Sequence, residues 1–77
     1  MMEILLQELS LVSEMAPKGS HVVVAKQNHI SAEYLYQIRA GKNMTTDTQE
    51  NRETLQKLID SYRAILRELK LQIEAVL

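Results

Sequence analysis

From Asp47 to Leu77 the chain contains neither proline nor glycine, and this constrains its fold more than any other feature. Nothing local interrupts a helix of about 30 residues, which would be roughly 45 Å long. The apolar pattern agrees with a helix. Leu55, Tyr62, Leu69 and Val76 recur every seven residues; Leu58 and Ile65 fill a second seam position, with Gln72 as its polar member; Ile59, Leu66 and Ile73 widen the stripe. A stripe of that width can serve two surfaces. Leu55 to Tyr62 is expected to cover the protomer's own helices. From Ile65 onward the helix is expected to outrun them, so that Ile65, Leu66, Leu69, Ile73 and Val76 are wet unless a partner covers them. Homodimerisation through this end is the expected arrangement. The competing geometry is a break near Arg63, with the last part folded back as a further short helix.

The start of that helix is marked by Thr46 with Gln49 three residues on, a capping-box spacing, and by Asp47 and Glu50 in the region where a helix dipole favours acids. At the other end of the chain, Leu5, Leu9 and Val12 make a helical stripe within Met2 to Met15. Ile4, Leu6 and Leu11 lie off it, so this helix is either buried on more than one face or partly committed to a dimer interface. Pro17-Lys18-Gly19-Ser20 reads as a turn. No strand pattern competes anywhere. The expected fold is all-α, a small helix-turn-helix bundle of three short helices plus one long C-terminal helix. A single domain is expected over residues 1–77, with the short helices in 1–46 and the long one in 47–77.

Between these flanks, Ser20 to Lys42 reads as two short helices joined by a tight turn. Ser20 is a plausible N-cap, and Val23, Val24 and Asn28 suggest a helix stopping near His29. Ser31 is the next N-cap candidate. Leu35 and Ile38 share a face of the second helix, and Gly41 is expected to end it in a left-handed conformation. Ala25 is small enough to let the second helix cross the first closely, which is the geometric requirement of a helix-turn-helix.

This pattern resembles, without a gap, the DNA-binding domain of the phage repressor and Cro family. The resemblance covers about a third of the chain and rests on Ser20, His21 where the family usually has Gln, Ala25, Leu35, Ile38 and Gly41-Lys42. The chain departs from the family at His29, where the turn usually holds Gly, and in lacking paired glutamines on the second helix. The resemblance implies that the second helix enters the major groove, with Ala32, Glu33, Tyr36 and Gln37 as the base-reading positions. Gln37 is the best reader, because its amide can pair with adenine N6 and N7, and Ala32 can touch a thymine methyl. Glu33 also suits the first turn of a helix whatever the function. Tyr34 either bonds phosphate or packs at the core edge with a wet hydroxyl. His21, Lys26, Lys42 and Asn43 are the expected phosphate contacts. Arg39 stands where the family usually has an acid paired with a base on the first helix; with the sign reversed, a charge-swapped pair with Glu14 is expected.

The charge distribution accords with that reading. The net charge is −1, but Lys18, Lys26, Arg39 and Lys42 against Glu33 make residues 18–42 positive, while Glu3, Glu8 and Glu14 make residues 1–17 negative. The absence of cysteine excludes disulfides and thiolate metal sites. The apolar start is too short for a signal peptide or membrane span, so a cytoplasmic location and no membrane partner are expected. His21 and His29 lack a metal-ligand spacing, no phosphate-binding glycine loop is present, and the serines have no identifiable base. No catalytic residues, metal, cofactor or small-molecule substrate are therefore expected. The expected function is a dimeric, sequence-specific regulator of transcription that binds double-stranded DNA at a near-palindromic operator, with half-sites about 34 Å apart. The alternative is a helical interaction module, adaptor or antitoxin-like, in which the hairpin is only a scaffold.

Overall fold

A computed structural model describes residues 2–77. Four helices follow one another: α1 (Met2–Met15), α2 (Ser20–Gln27), α3 (Ala32–Arg39) and α4 (Gln49–Val76). The all-α bundle expected from the sequence is the fold observed. Twenty-eight residues of α4 span roughly 42 Å, which accounts for the 44 Å long dimension of the molecule. The helix does not break at Arg63.

The junction between α1 and α2 is built differently from the expectation. Gly19, at φ 91°, occupies the N-cap position of α2 and contributes no side-chain cap. Ser20 is already helical, and its hydroxyl donates backwards to the Pro17 carbonyl at 2.6 Å. Ser20 therefore does not cap the N-terminus of α2. The Pro17–Ser20 turn, closed by the Ser20 N–H on the same carbonyl, takes the hydroxyl that a cap would have used. Only a residue without a Cβ adopts the φ of Gly19 freely.

Both ends of the hairpin follow one design. Asn28 ends α2, His29 takes a left-handed φ of 57°, the His29 N–H donates to the Lys26 carbonyl and the Ile30 N–H donates to that of Ala25. This is a Schellman motif, in which a left-handed residue lets two terminal carbonyls be satisfied. The same pattern closes α3, with Gly41 at φ 83°, its N–H on the Ile38 carbonyl and the Lys42 N–H on that of Gln37. His29 thus performs the backbone task for which Gly is usual, at a modest steric cost. Ser31 caps α3 as expected, accepting from the Tyr34 N–H at 3.0 Å.

The cap of α4 lies two residues beyond the expected one. Thr48 accepts from the Asn51 N–H at 3.1 Å, while the Thr46 carbonyl accepts from the Asn51 side chain. Asp47 is drawn into an ion pair with Arg52. Those contacts hold residues 46 and 47 outside the helix, so Thr46 and Gln49 form no capping box.

All four helices and the α3–α4 loop supply one core. Leu9, Val24, Leu35, Ile38, Leu55, Leu58, Ile59 and Tyr62 are fully buried, closed at one end by Met2 and Met44. Ala25 is 2% exposed, consistent with its role at the helix crossing. Burying a leucine or isoleucine side chain contributes about 1.5–3 kcal/mol, so the α4 stripe from Leu55 to Tyr62 is the main anchor of the bundle. Leu6 packs against this core, but Ile4 and Leu11 are exposed. Helix α1 is therefore not buried on all its faces. On α4 the core extends further than expected, because Ile65 and Leu66 also pack partly against it.

Candidate nucleic-acid interface

Helix α3 has two distinct sides. Leu35 and Ile38 are completely buried in the shared core, with Ile30 packed against it, and α3 lies against α2 and α1. Ala32, Glu33 and Tyr36 are exposed on the other side, Tyr36 to 68%, and Gln37 is half-buried at its edge. The four residues expected to read bases therefore lie on the side of α3 that the rest of the chain leaves open. Tyr34 sits nearer the core, with 36% exposure, beside Ile30 and Met44.

Of the residues expected to touch phosphate, Lys26 is exposed on the outer face of α2, and Lys42 and Asn43 are exposed just beyond α3. Asn43 is also tied to the reading face. Its side-chain amide donates to Gln37 Oε1 at 2.6 Å.

His21 is not available for that role. Its ring turns inward, with Nδ1 2.6 Å from the Tyr62 hydroxyl and the two rings edge to face. The physical reason is Tyr62 itself. It occupies a seam position of α4 and is fully buried, so its hydroxyl needs a partner within the bundle. The sequence carried this signal: a tyrosine in a leucine seam calls for a polar group on a neighbouring helix, and His21 supplies it.

Arg39 completes the cluster and corrects a further expectation. Its Nε donates to Ser13 Oγ at 3.0 Å, and Nη1 lies 3.2 and 3.3 Å from the two ring nitrogens of His21. Ser13 in turn donates to the Ser10 carbonyl. The guanidinium is thus engaged by neutral groups of α1 and α2, and no Arg39–Glu14 ion pair forms. The ion pairs among the described residues are Arg52–Asp47, Arg63–Glu8 and Lys70–Glu74. Glu14 lines the same shallow pocket as Arg39, with Ser10 and Tyr36, but the guanidinium is already taken up by Ser13 and His21. Burial, and then the neighbouring Arg39 charge, hold the His21 imidazole below its ordinary pKa. Burial pushes the Tyr62 hydroxyl up, against a smaller opposing effect of Arg39. The cluster is accordingly built around a neutral imidazole.

The five residues expected to dimerise grade outward along α4. Ile65 and Leu66 are partly covered by the protomer's own core, Leu69 is half-buried, Ile73 is 51% exposed and Val76 87%. Leu69, Gln72, Ile73, Val76 and Leu77 line a shallow, mostly apolar depression at the end of the helix. Two core residues lie outside any expected set: Met2, which continues the Leu5, Leu9 and Val12 stripe of α1 by one step of three, and Met44, in a loop where no periodicity marks it.

No protein-family model matches the chain, and neither a curated protein nor a solved structure matches it.

Proposed function

We propose that this chain is a sequence-specific binder of double-stranded DNA, a small regulator of transcription of the repressor and Cro type. The observation that carries the reading is the two-sidedness of α3. One face is locked into the core by Leu35 and Ile38, and the other presents Ala32, Glu33, Tyr36 and Gln37 outward. Eight residues of helix make a rod about 12 Å long and 10–12 Å across, matched to a major groove roughly 12 Å wide. Lys42 and Asn43 at one end of α3 supply polar groups for the flanking backbone, and Lys26 is a further exposed cation on α2.

The regulator acts in this reading as a homodimer in the cytoplasm, joined through the end of α4. Leu66, Leu69, Ile73 and Val76 continue, at alternating spacings of three and four, the line of Leu55, Ile59 and Tyr62 that is buried within the protomer. The seam carries no charge, which suits pairing with a copy of itself. Among the described residues no helix is long and apolar enough to cross a membrane.

The test is titration into random and genomic-fragment duplexes at two salt concentrations, comparing the wild type with Gln37→Ala and Lys42→Ala. A selected sequence whose preference relaxes in Gln37→Ala is expected. In Lys42→Ala, affinity should fall similarly for all sequences and the salt dependence should lessen. Negligible binding at low salt would refute the reading. The exposed apolar end of α4 would then direct attention to an interaction module that binds another protein along Leu69 to Leu77.

A further inference from the structure

One face of α4 passes from core to solvent along its length. Leu55, Ile59 and Tyr62 on that face are fully buried under α1 and α2, and Ile65, Leu66 and Leu69 are partly covered. Every residue from Lys70 to Leu77 is exposed, although Ile73 and Val76 continue the same face. The protomer is therefore stepped. Helices α1 and α2 form the high part, and Lys70 to Leu77 form a ledge about 12 Å long. A groove marks the foot of the step, where Pro17 and Gln27 meet Ile65 and Leu69. It shares Leu69 and Gln72 with the apolar depression at the end of the helix.

We propose that two copies of this chain pair as a lap joint, their α4 ends antiparallel and each end seated against the step of the other. The inference rests on the reading of α4 as the dimer seam, and adds its direction and register. In a parallel pair the same two faces would meet, and upstream each face carries its own layer of helices. With packed helices about 8–10 Å apart, two such layers hold the α4 axes roughly 25–30 Å apart at Tyr62. Only about 10 Å of helix separates Tyr62 from Leu69, too little for the axes to converge into a packed seam. An antiparallel pair meets no such obstacle, because each step stands beyond the end of the partner's helix. The seam spacing then fixes the register. Leu69 faces the partner's Ile73, and Leu66 faces the partner's Val76, about a two-fold axis near Leu71. The partner's Val76 and Leu77 thereby reach the groove beside Ile65 and Pro17. The flanking charges agree with this direction. Glu74, which pairs with Lys70 of its own chain at 4.0 Å, falls in this register between the partner's Arg67 and Lys70. In a parallel pair Lys70 would instead lie beside the partner's Ile65, with no carboxylate facing it.

The chain has no cysteine, so introduced cysteines report the pairing directly. Leu66→Cys and Val76→Cys are oxidised at high micromolar concentration, each alone and mixed in equal amounts. Thermal melts establish that both variants fold, and sedimentation equilibrium establishes the state of the wild type. In the antiparallel register, positions 66 and 76 of opposite chains adjoin. Like positions stand about ten residues, or about 15 Å, apart along the axis, beyond the reach of a disulfide. The mixture is expected to give about fivefold or more covalent dimer than either variant alone. Cross-linking of each variant with itself, and not in the mixture, would show a parallel pair and overturn the inference while leaving the dimer. A wild-type dimer in which no arm cross-links would also overturn it, since the joint would lie elsewhere. A wild type that stays monomeric would overturn both the inference and the dimer, and leave the DNA titration to judge α3 by itself.

Discussion

At the scale of single residues, the most consequential contact is the one between His21 and Tyr62. It turns a half-buried polar side chain inward and commits it to joining α2 to α4, with Arg39 tying in α3 and Ser13 tying in α1. Because the folded protein holds His21 below its ordinary pKa, the unfolded chain binds a proton more readily. The associated stability is complete above the ordinary histidine value of about 6.5 and is lost as the pH falls through the lowered, folded-state value. Thermal melts from about pH 7.5 down to 5.5, above most carboxylate titrations, should therefore show the wild type losing stability. His21→Gln should lose less, and parallel losses would refute the contribution. Arg39 gives a second residue-scale prediction. A double-mutant cycle of Arg39→Ala with Ser13→Ala should show coupling of roughly 0.5 kcal/mol or more, whereas exchanging the charges of Arg39 and Glu14 together should rescue nothing. Coupling confined to the Glu14 pair would place the guanidinium wrongly.

At the scale of elements, α4 is one helix with two environments. Its first half is clamped by α1 and α2, through Leu55, Leu58, Ile59 and Tyr62 and through the Asn28 side chain bonded to Ser61 at 3.0 Å. Its end is largely exposed, with Ile73 at 51% and Val76 at 87%, and carries the i,i+4 pair Lys70–Glu74 on a surface of 77% and 57% side-chain exposure, where such a pair contributes little. Ile73 and Val76 bury little surface within the protomer and so add little to its stability. Replacing Ile73 and Val76 together by glutamate should leave the monomer's melting behaviour nearly unchanged while abolishing self-association, as measured by sedimentation equilibrium. If the wild type is monomeric at high micromolar concentration, the proposed dimer seam is wrong.

For the molecule as a whole, one shared core means that stability is not divisible among the helices. A chain of 77 residues has a total stability of roughly 4–12 kcal/mol at 0.05–0.15 kcal/mol per residue. Leu58 is fully buried, and Leu58→Ala should cost about 2–5 kcal/mol through lost burial and the cavity left behind. That is a large share of the total. Urea denaturation should show the whole transition moving to lower denaturant; fraying of α4 alone, with α1–α3 unaffected, would mean the bundle is not cooperative. The same coupling bears on the proposed function, since the orientation of α3 depends on residues of α4 that approach no groove.

The sequence by itself determined the elements. An uninterrupted stretch after Asp47, a stripe repeating every seven residues, the Ser31 cap and the left-handed Gly41 are local properties of the chain, and local sterics and periodicity act the same way in any tertiary setting. The buried face of α3 and the open one were legible for the same reason. What only the tertiary structure decided was the fate of polar side chains with several possible partners. Ser20, bonded to Pro17, and Thr48, the cap of α4, settled within three residues along the chain, but Arg39 chose Ser13 and His21 over Glu14, and His21 went inward to Tyr62. These last choices depend on which groups a distant helix brings within about 3 Å, and hydrogen bonds of comparable strength are separated only by that geometry.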